Sequence, residues 1–212
     1  IPKLCRCLVA QSQSRFWENC IGRSLPFCRW LVGVLDAEHP GHGLTAEAIF
    51  GASNRVSRSL VRITSDESTY NLHILVRFQL ELALLTGELA VADLAEAWDD
   101  AYERIVGIRP DSHKSGVLQD VHWSAGLFGY FPTYTLGALM AAQLFQAACG
   151  QSPEIPTSLA AGDFKPLLHW LRQHVHQRGS SVTMNEVLTD ATGEPLNARF
   201  FKAHLEGRYL KD

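Results

Sequence analysis

The sequence lacks an apolar run long enough to cross a membrane. A membrane-spanning helix needs about 20 consecutive apolar residues. The longest apolar stretch here, Phe27 to Leu35, is much shorter and contains Arg29. The first nine residues also lack the basic, apolar and small-residue regions of a signal peptide. We therefore expect no membrane partner.

The sequence also has no excess of positive charge and few cysteines. Its 19 Lys and Arg are balanced by 22 Asp and Glu, for a formal net charge of −3, and the basic residues are spread along the chain. This pattern argues against nucleic acid as a partner. The five cysteines are an odd number without repeated spacing, which argues against a disulfide framework and for a reducing, cytoplasmic location.

What the sequence does contain is mostly helical pattern. With 46 % hydrophobic and 19 % charged residues, the 212-residue chain is predicted to form one mostly helical domain over residues 1–212. The fold class is all-α, with at most a short β-hairpin near residues 57–65, where Val56, Leu60, Val61 and Ile63 form a short β-like stretch that Arg62 interrupts.

Capping residues mark several helix ends. Ser12 to Leu35 reads as one amphipathic helix that Pro26 kinks or divides. Thr45 is expected to cap a helix through Asn54, and Asp66 one through Leu85 that Gly87 ends. The other predicted helices cover Val91 to Val106, Leu136 to Cys149, Phe164 to His176, Thr183 to Thr189, which opens with a capping box, and Asn197 to Leu210.

The densest group of reactive side chains lies in Gly116-Val-Leu-Gln-Asp-Val-His-Trp123 and Gly129-Tyr-Phe-Pro-Thr-Tyr134. Polar side chains cost free energy if they are buried without partners, so an ordinary core does not need so many of them. In a hydrolase, His and Tyr donate to an oxyanion, and an Asp fixes the His tautomer. A solvated loop with an aromatic cluster is the alternative interpretation.

Three segments together resemble the carboxypeptidase Taq family of zinc metallocarboxypeptidases. They are Gln-Ser-Gln-Ser-Arg-Phe-Trp-Glu-Asn at 11–19, Val-Arg-Ile-Thr-Ser-Asp at 61–66, and 116–134. The family shows HExxH, then His-Glu-Ser-Gln, Ile/Val-Arg-x-x-Ala-Asp and Gly-x-x-Gln-Asp-x-His-Trp. The last motif matches here at every fixed position. The resemblance continues at 70–73, 162–164 and 192–196, so it runs from about Ser12 to the C-terminus.

The resemblance implies an elongated, multi-helix, zincin-type architecture with a deep groove, and a homodimer. It also implies zinc-dependent removal of single residues from peptide C-termini. In that chemistry two His of HExxH and a later Glu hold the zinc, and the HExxH Glu is the general base.

The chain departs from the family at the metal. It contains no HExxH, and Gln11 stands at the position of the family's ligand Glu. A neutral amide brings no charge to offset a dication, so we expect zinc in the full-length family but none bound by this chain. We interpret the chain as the C-terminal part of a longer enzyme, inactive as given. A shortened relative that has lost its metal is the alternative.

The resemblance assigns catalytic roles to three residues. His122 is the motif histidine, a candidate donor to the substrate carbonyl or the tetrahedral intermediate. Tyr134 is the preferred phenolic donor and Tyr130 the second. An aromatic cluster with Trp123 and Phe131 is the alternative role for both tyrosines.

Substrate-binding and supporting roles follow in the same way. Arg62 suits the terminal carboxylate of a peptide, and its alternative is an ion pair with Asp66 or Glu67. Gln13 and Gln119 are candidates for binding the substrate backbone. The expected supporting residues are Asp66 as a helix N-cap, Asp120, which holds the loop through backbone N–H groups, and Glu18, seven residues from Gln11 on one helix face.

The competing hypothesis is a non-catalytic helical module. Such a module would bind peptide C-termini through Arg62 or serve as a partner subunit. The chain alone is also expected to expose part of a core face, which favours self-association.

Overall fold

The computed structural model describes residues 2–179 and 181–210, with side chains from residue 7 onward. Within these residues every regular element is a helix. There are ten α-helices: α1 Pro2–Arg15, α2 Leu25–Glu38, α3 Ala46–Ser53, α4 Glu67–Thr86, α5 Leu94–Ile105, α6 Pro132–Gln151, α7 Ile155–Ala160, α8 Lys165–His174, α9 Met184–Thr192 and α10 Arg199–Tyr209. The prediction of an all-α fold is confirmed.

The chain forms two compact units. One comprises Ile1–Asn54 with Leu136–Asp212, and the other comprises Arg55–Thr135. The core of the first unit includes Phe16, Met140, Leu144, Leu167 and Leu171, all almost fully buried. The core of the second unit is built around Val76, Trp98 and Tyr102 on α4 and α5. The single domain over residues 1–212 stays a prediction.

The first predicted helix of this chain is in fact three helical segments. Between α1 and α2 the backbone forms a π-helix, Phe16–Gly22. The chain then breaks, and the Ser24 side chain caps α2 by accepting a bond from the Phe27 N–H. Pro26 divides the pattern as predicted, but it does so from the first turn of α2, where a missing N–H costs nothing.

Local signals at three other helices are confirmed, whereas the Asp93 side chain makes no capping bond at the start of α5. Thr45 caps α3, and the Thr183–Glu186 capping box opens α9. Asp66 caps α4, which ends at Gly87 with φ +77°, a left-handed conformation that glycine adopts without strain. In each case the signal lies within three residues of the helix end, so no tertiary contact is needed to form it.

The segment from 55 to 66 contains no strand, so the hairpin expected at most near 57–65 is absent from the described residues. Arg62–Thr64 form a turn of 3-10 helix instead. The Ser65 hydroxyl donates to the Arg62 carbonyl at 2.7 Å, and the Thr64 hydroxyl donates to the Val61 carbonyl at 3.1 Å. Hydroxyl groups that bond to nearby backbone in this way compete with strand pairing.

Part of α4 is apolar and exposed. Leu75, Phe78, Leu82 and Leu85 have 41 %, 44 %, 51 % and 64 % of their surface exposed, and their spacing places them along one stripe of the helix. Self-association through such a face stays a prediction. None of the described helices combines the length and the apolar content that a membrane crossing requires.

Candidate active site

The candidate site is built in the second unit around Asp120, whose carboxylate is shared by two arginines. Arg62, on the 3-10 turn, donates to Asp120 Oδ1 from Nε at 3.1 Å and from Nη2 at 2.6 Å. Arg77, on α4, donates from Nε to Asp120 Oδ2 at 2.6 Å. Asp120 is the one carboxylate within 4.0 Å of either guanidinium in the described part of the chain.

This arrangement corrects two expectations. Arg62 does not pair with Asp66 or Glu67 in the structure; its ionic partner is Asp120. Asp120 does not hold the loop through backbone N–H groups, because both of its oxygens accept from guanidinium groups. A guanidinium presents several N–H donors in a fixed plane and therefore outcompetes a single backbone N–H for a buried carboxylate.

Two cations thus share one anion. Arg77 is fully buried and Arg62 is 6 % exposed. Burial pushes the pKa of Asp120 up, but the hydrogen bond from Arg62 and the charges of Arg77 and Arg62 outweigh it, so the pKa lies below its ordinary value. Asp120 is therefore ionised at neutral pH, and the cluster carries one net positive charge.

His122 and Tyr134 form the second part of the site. His122 Nε2 lies 3.0 Å from the Tyr134 hydroxyl. His122 Nδ1 lies 3.8 Å from Asp120 Oδ1 and makes no hydrogen bond. The imidazole packs on Phe131 with ring centroids 4.4 Å apart, and on Tyr130 at 5.4 Å. The Arg62 guanidinium lies 5.0 Å from the centroid of the Tyr134 ring.

Both members of this pair are neutral at pH 7. Burial lowers the pKa of His122, and the nearby Asp120 only partly opposes that shift. Burial raises the pKa of Tyr134 to about 12, although the charge of Arg62 opposes it. Because Nδ1 faces the Asp120 carboxylate, we assign the imidazole proton to Nδ1, and Nε2 then accepts the Tyr134 proton.

Gln119 and Asp66 hold the segment that carries Arg62. Gln119 Oε1 accepts from the Arg62 backbone N–H at 3.0 Å, and its Nε2 donates to the Leu60 carbonyl at 3.1 Å and to the Ser115 carbonyl at 2.8 Å. Asp66 Oδ1 accepts from two N–H groups of the first turn of α4, and its Oδ2 accepts from the Ser57 N–H at 3.0 Å. The Gln119 amide is therefore occupied by this chain's own backbone.

The sequence reasoning missed the polar face of α4. Tyr70, His73, Arg77 and Glu81 are all buried, and spacings of three and four residues place them along one stripe. The Tyr70 hydroxyl accepts from Arg62 Nη1 at 2.9 Å. Glu81 accepts from Trp123 Nε1 at 2.7 Å and from the Gly129 N–H. Four polar residues at helical spacing within an apolar helix are a signal that could have found them.

The phenol of Tyr102 connects this face to α5. Its oxygen accepts from Arg77 Nη1 at 3.0 Å and from Gln119 Nε2 at 3.3 Å, so its own proton goes to His73 Nδ1, 3.0 Å away. His73 is fully buried. Burial first, and then the charges of Arg77 and Arg62, lower the pKa of His73 to about 4.

Three predicted site residues lie in the first unit. Gln13 Oε1 lies 2.8 Å from Nε2 of His176, which donates to it. Gln11 lies on α1, where the Ser14 hydroxyl is 3.4 Å from its Oε1. Glu18 lies in the π-helix, exposed, and accepts from Arg15 at 2.8 Å and from Arg23 at 3.4 Å. Because the π-helix changes the angle per residue, the face shared by Gln11 and Glu18 cannot be counted from α-helical spacing.

No group of three or more His, Cys, Asp or Glu among the described residues is arranged to hold a metal ion. At the candidate site, Asp120 is occupied by two arginines, and the two nitrogens of His122 face Asp120 and Tyr134. These residues therefore do not fit a metal ion. Their chemistry is that of a largely buried cationic cluster beside a neutral His–Tyr pair.

The family comparison gives the class of the protein as metallopeptidase. The model of the carboxypeptidase Taq (M32) metallopeptidase family matches residues 2–209. The chain belongs to the carboxypeptidase Taq (M32) family.

Relatives of this chain are named as carboxypeptidases. The chain is 47 % identical to thermostable carboxypeptidase 1 of Thermus thermophilus over 202 residues, which are 95 % of this chain and 40 % of that protein. Thermostable carboxypeptidase 1 of Pyrococcus furiosus is 40 % identical over 95 % of this chain and 41 % of its own length. The chain thus spans about 40 % of the length of these relatives.

Solved structures show the same fold. Metallocarboxypeptidase 1 of Trypanosoma cruzi superposes with a TM-score of 0.92 at 36 % identity, covering 97 % of this chain and 43 % of that one. The M32 carboxypeptidase of Deinococcus radiodurans R1 gives 0.91 at 43 % identity, covering 96 % and 41 %.

Proposed function

We propose that the whole protein is a zinc metallocarboxypeptidase that releases single residues from peptide C-termini, and that this chain carries its carboxylate-binding and oxyanion-stabilising groups. In this proposal Arg62 binds the terminal carboxylate of the peptide. His122 and Tyr134 stabilise the negative charge that develops on the carbonyl oxygen of the bond that is cleaved. Tyr130 packs beside His122 as an additional donor.

The observation that carries the proposal is the hydrogen-bonded cluster that joins Arg62, Asp120 and Arg77 beside the His122–Tyr134 pair. Of the five N–H donors of Arg62, three are used, by Asp120 and Tyr70. In this proposal the remaining two, one on each terminal nitrogen, are the fork from which a carboxylate accepts. The net positive charge of the cluster favours an anionic ligand at that fork.

Tyr134 is suited to donate to an oxyanion. In the resting state its proton is held by the neutral His122 nitrogen, and its high pKa keeps the phenol protonated. An anionic oxygen is a stronger acceptor than a neutral imidazole. Negative charge that develops on a bound carbonyl oxygen therefore draws the Tyr134 proton away from His122 Nε2, and the donor is worth most when the charge is largest.

Gln119, Asp66 and Asp120 act as positioning residues in this proposal, because their polar atoms are occupied by the Arg62 segment and by the arginines. For Gln13 and Glu18 the roles of binding substrate and supporting the site remain predictions.

Zinc is the proposed metal of the whole protein, and peptides are its partners, with neither nucleic acid nor membrane among them; two copies are proposed to pair. We propose a cytoplasmic location because the described cysteines Cys7, Cys20, Cys28 and Cys149 are thiols. With an amide at Gln11, this chain is expected to bind no zinc, and one zinc per chain by elemental analysis would contradict that.

Carboxylate binding is tested with two ligands that differ in one group. Calorimetry on the 212-residue chain compares an N-acetylated dipeptide that ends in a free carboxylate with its C-terminal amide. We expect about tenfold or more preference for the carboxylate, because a hydrogen bond to a charged group contributes about 1.5–3 kcal/mol. R62M should abolish the preference, whereas R109M, which removes an exposed arginine paired with Asp100 and Glu103, should keep it. Equal affinity of the wild-type chain for both ligands would show the role of Arg62 to be wrong.

A further inference from the structure

Arg77 contributes to the net charge of the cluster, but neither the sequence motifs nor the proposed function gives it a role of its own. It lies on α4, is fully buried, and donates through Nε to Asp120 Oδ2 at 2.6 Å. Its Nη1 donates to the His73 carbonyl at 2.8 Å and to the Tyr102 hydroxyl at 3.0 Å. The guanidinium also stacks 4.7 Å from the centroid of the Trp98 ring. Contacts on three sides fix its plane.

Arg77 determines how the two carboxylate oxygens of Asp120 are shared between the two arginines. A carboxylate beside one arginine ordinarily pairs both of its oxygens with that arginine's parallel N–H donors. Here Arg62 receives Oδ1 alone, through two of its nitrogens, and Oδ2 is turned toward Arg77. The negative charge of Asp120 is therefore split between two cations.

We propose that Arg77 is a positioning residue that draws one oxygen of Asp120 away from Arg62, so that one net positive charge remains at Arg62 for the terminal carboxylate of a peptide. This inference rests on the proposed role of Arg62. Without Arg77, Asp120 turns both oxygens to Arg62, the pair becomes neutral, and the fork of Arg62 faces the ligand without surplus charge. Arg77 itself touches no substrate.

A charge series tests the inference with the same two dipeptides. R77M removes the cation and keeps most of the side-chain length, and we expect it to reduce the preference for the carboxylate by about tenfold. R77K keeps the cation but not the planar fork, so it should lose less of the preference than R77M. The double variant R77M/D120N removes one charge of each sign, leaves Arg62 unpaired, and should regain the preference.

A residue that only fills space would behave differently. R77K and R77M would then fall together, and the double variant would be worse than either single one; that pattern overturns the inference. R109M serves as the matched control, because it removes an arginine of the same unit that is exposed and remote from Asp120 in the network of bonds.

A structural measurement separates failure of this inference from failure of the proposed function. In a crystal structure of R77M, both oxygens of Asp120 should contact Arg62; an Asp120 that keeps its orientation overturns the inference. The orientation of Asp120 in R77M tests the role of Arg77 without any binding measurement. Equal binding of both dipeptides by the wild-type chain would overturn only the role of Arg62.

If R77M does not fold, the wild-type protein labelled with 15N gives the answer. The Nε–H resonances of Arg62 and Arg77 should shift together as Asp120 is protonated in acid. An Arg77 resonance that does not respond would show that Arg77 does not hold Asp120, and would overturn the inference.

Discussion

At the scale of single residues, the site depends on Asp120 more than on any group with an obvious chemical role. Its carboxylate binds Arg62 and Arg77 and lies 3.8 Å from His122. The negative charge stabilises the protonated form of His122, while burial and the two arginines oppose protonation. Burial lowers the proton affinity of this imidazole most, and Asp120 partly restores it without bonding to the ring directly.

Replacing Asp120 by Asn should lower the pKa of His122 further. The substitution removes the nearby negative charge that favours the imidazolium, and the charges of Arg62 and Arg77, which disfavour it, remain. The pKa of His122 is measured by NMR titration of its ring protons. D111N, which removes an exposed carboxylate of the same unit, is the control and should leave the pKa unchanged. A rise in D120N would contradict the assigned geometry.

At the scale of elements, α4 organises the second unit. Its buried polar face contacts the Arg62 turn, α5 and the loop 116–131, and its N-cap holds the segment that leads into the Arg62 turn. Asp66 accepts four hydrogen bonds there, from Ser57, from the Ser68 N–H and from the N–H and hydroxyl of Thr69. One side chain thus fixes both a helix end and the preceding loop.

The Asp66→Ala substitution should lower the free energy of unfolding by about 2 kcal/mol or more, at or above the upper end for loss of an N-cap, because the Ser57 contact is lost with it. The matched control is T45A, which removes the one hydrogen bond of the cap of α3 and should cost about 1 kcal/mol or less. Urea denaturation monitored by circular dichroism measures both. Equal costs would show that the contact between Asp66 and Ser57 adds no stability.

Features that depend on neighbouring residues could be predicted from the sequence, and features that depend on distant residues could not. The caps at Thr45, Asp66 and Thr183 are local and were predictable. The π-helix at Phe16–Gly22 leaves no local signal, so the helix boundaries there were wrong. The partner of Arg62 lies 58 residues away along the chain, and only the tertiary fold brings the two together. The motifs identified His122 and Tyr134 by type, but not the hydrogen bond between them.

At the scale of the whole molecule, burial of ionisable groups links stability to pH. His73 is fully buried with a pKa of about 4, whereas an unfolded histidine has a pKa of about 6.5. Between these values the unfolded chain binds a proton that the folded chain does not. The free energy of unfolding therefore falls as the pH decreases through this window.

Replacing His73 by Gln should remove the part of this pH dependence that is due to His73. At about 1.36 kcal/mol per pH unit, that part is roughly 3 kcal/mol of unfolding free energy between pH 6.5 and pH 4. The comparison is H113Q, which replaces an exposed histidine and should keep the wild-type slope. Free energies of unfolding from urea titrations at several pH values give both slopes. An unchanged slope in H73Q would mean that His73 is not held neutral in the folded protein.

The sharing of Asp120 has a consequence for any activity that uses this site. Charge at the Arg62 fork and proton affinity at His122 are functions of one carboxylate, so they cannot be tuned independently. A single proton on Asp120 would raise the net charge at the Arg62 fork and lower the proton affinity of His122 at the same pH. The arginines hold the pKa of Asp120 below its ordinary value, so this coupled change lies in acid, and Asp120 keeps its charge at neutral pH.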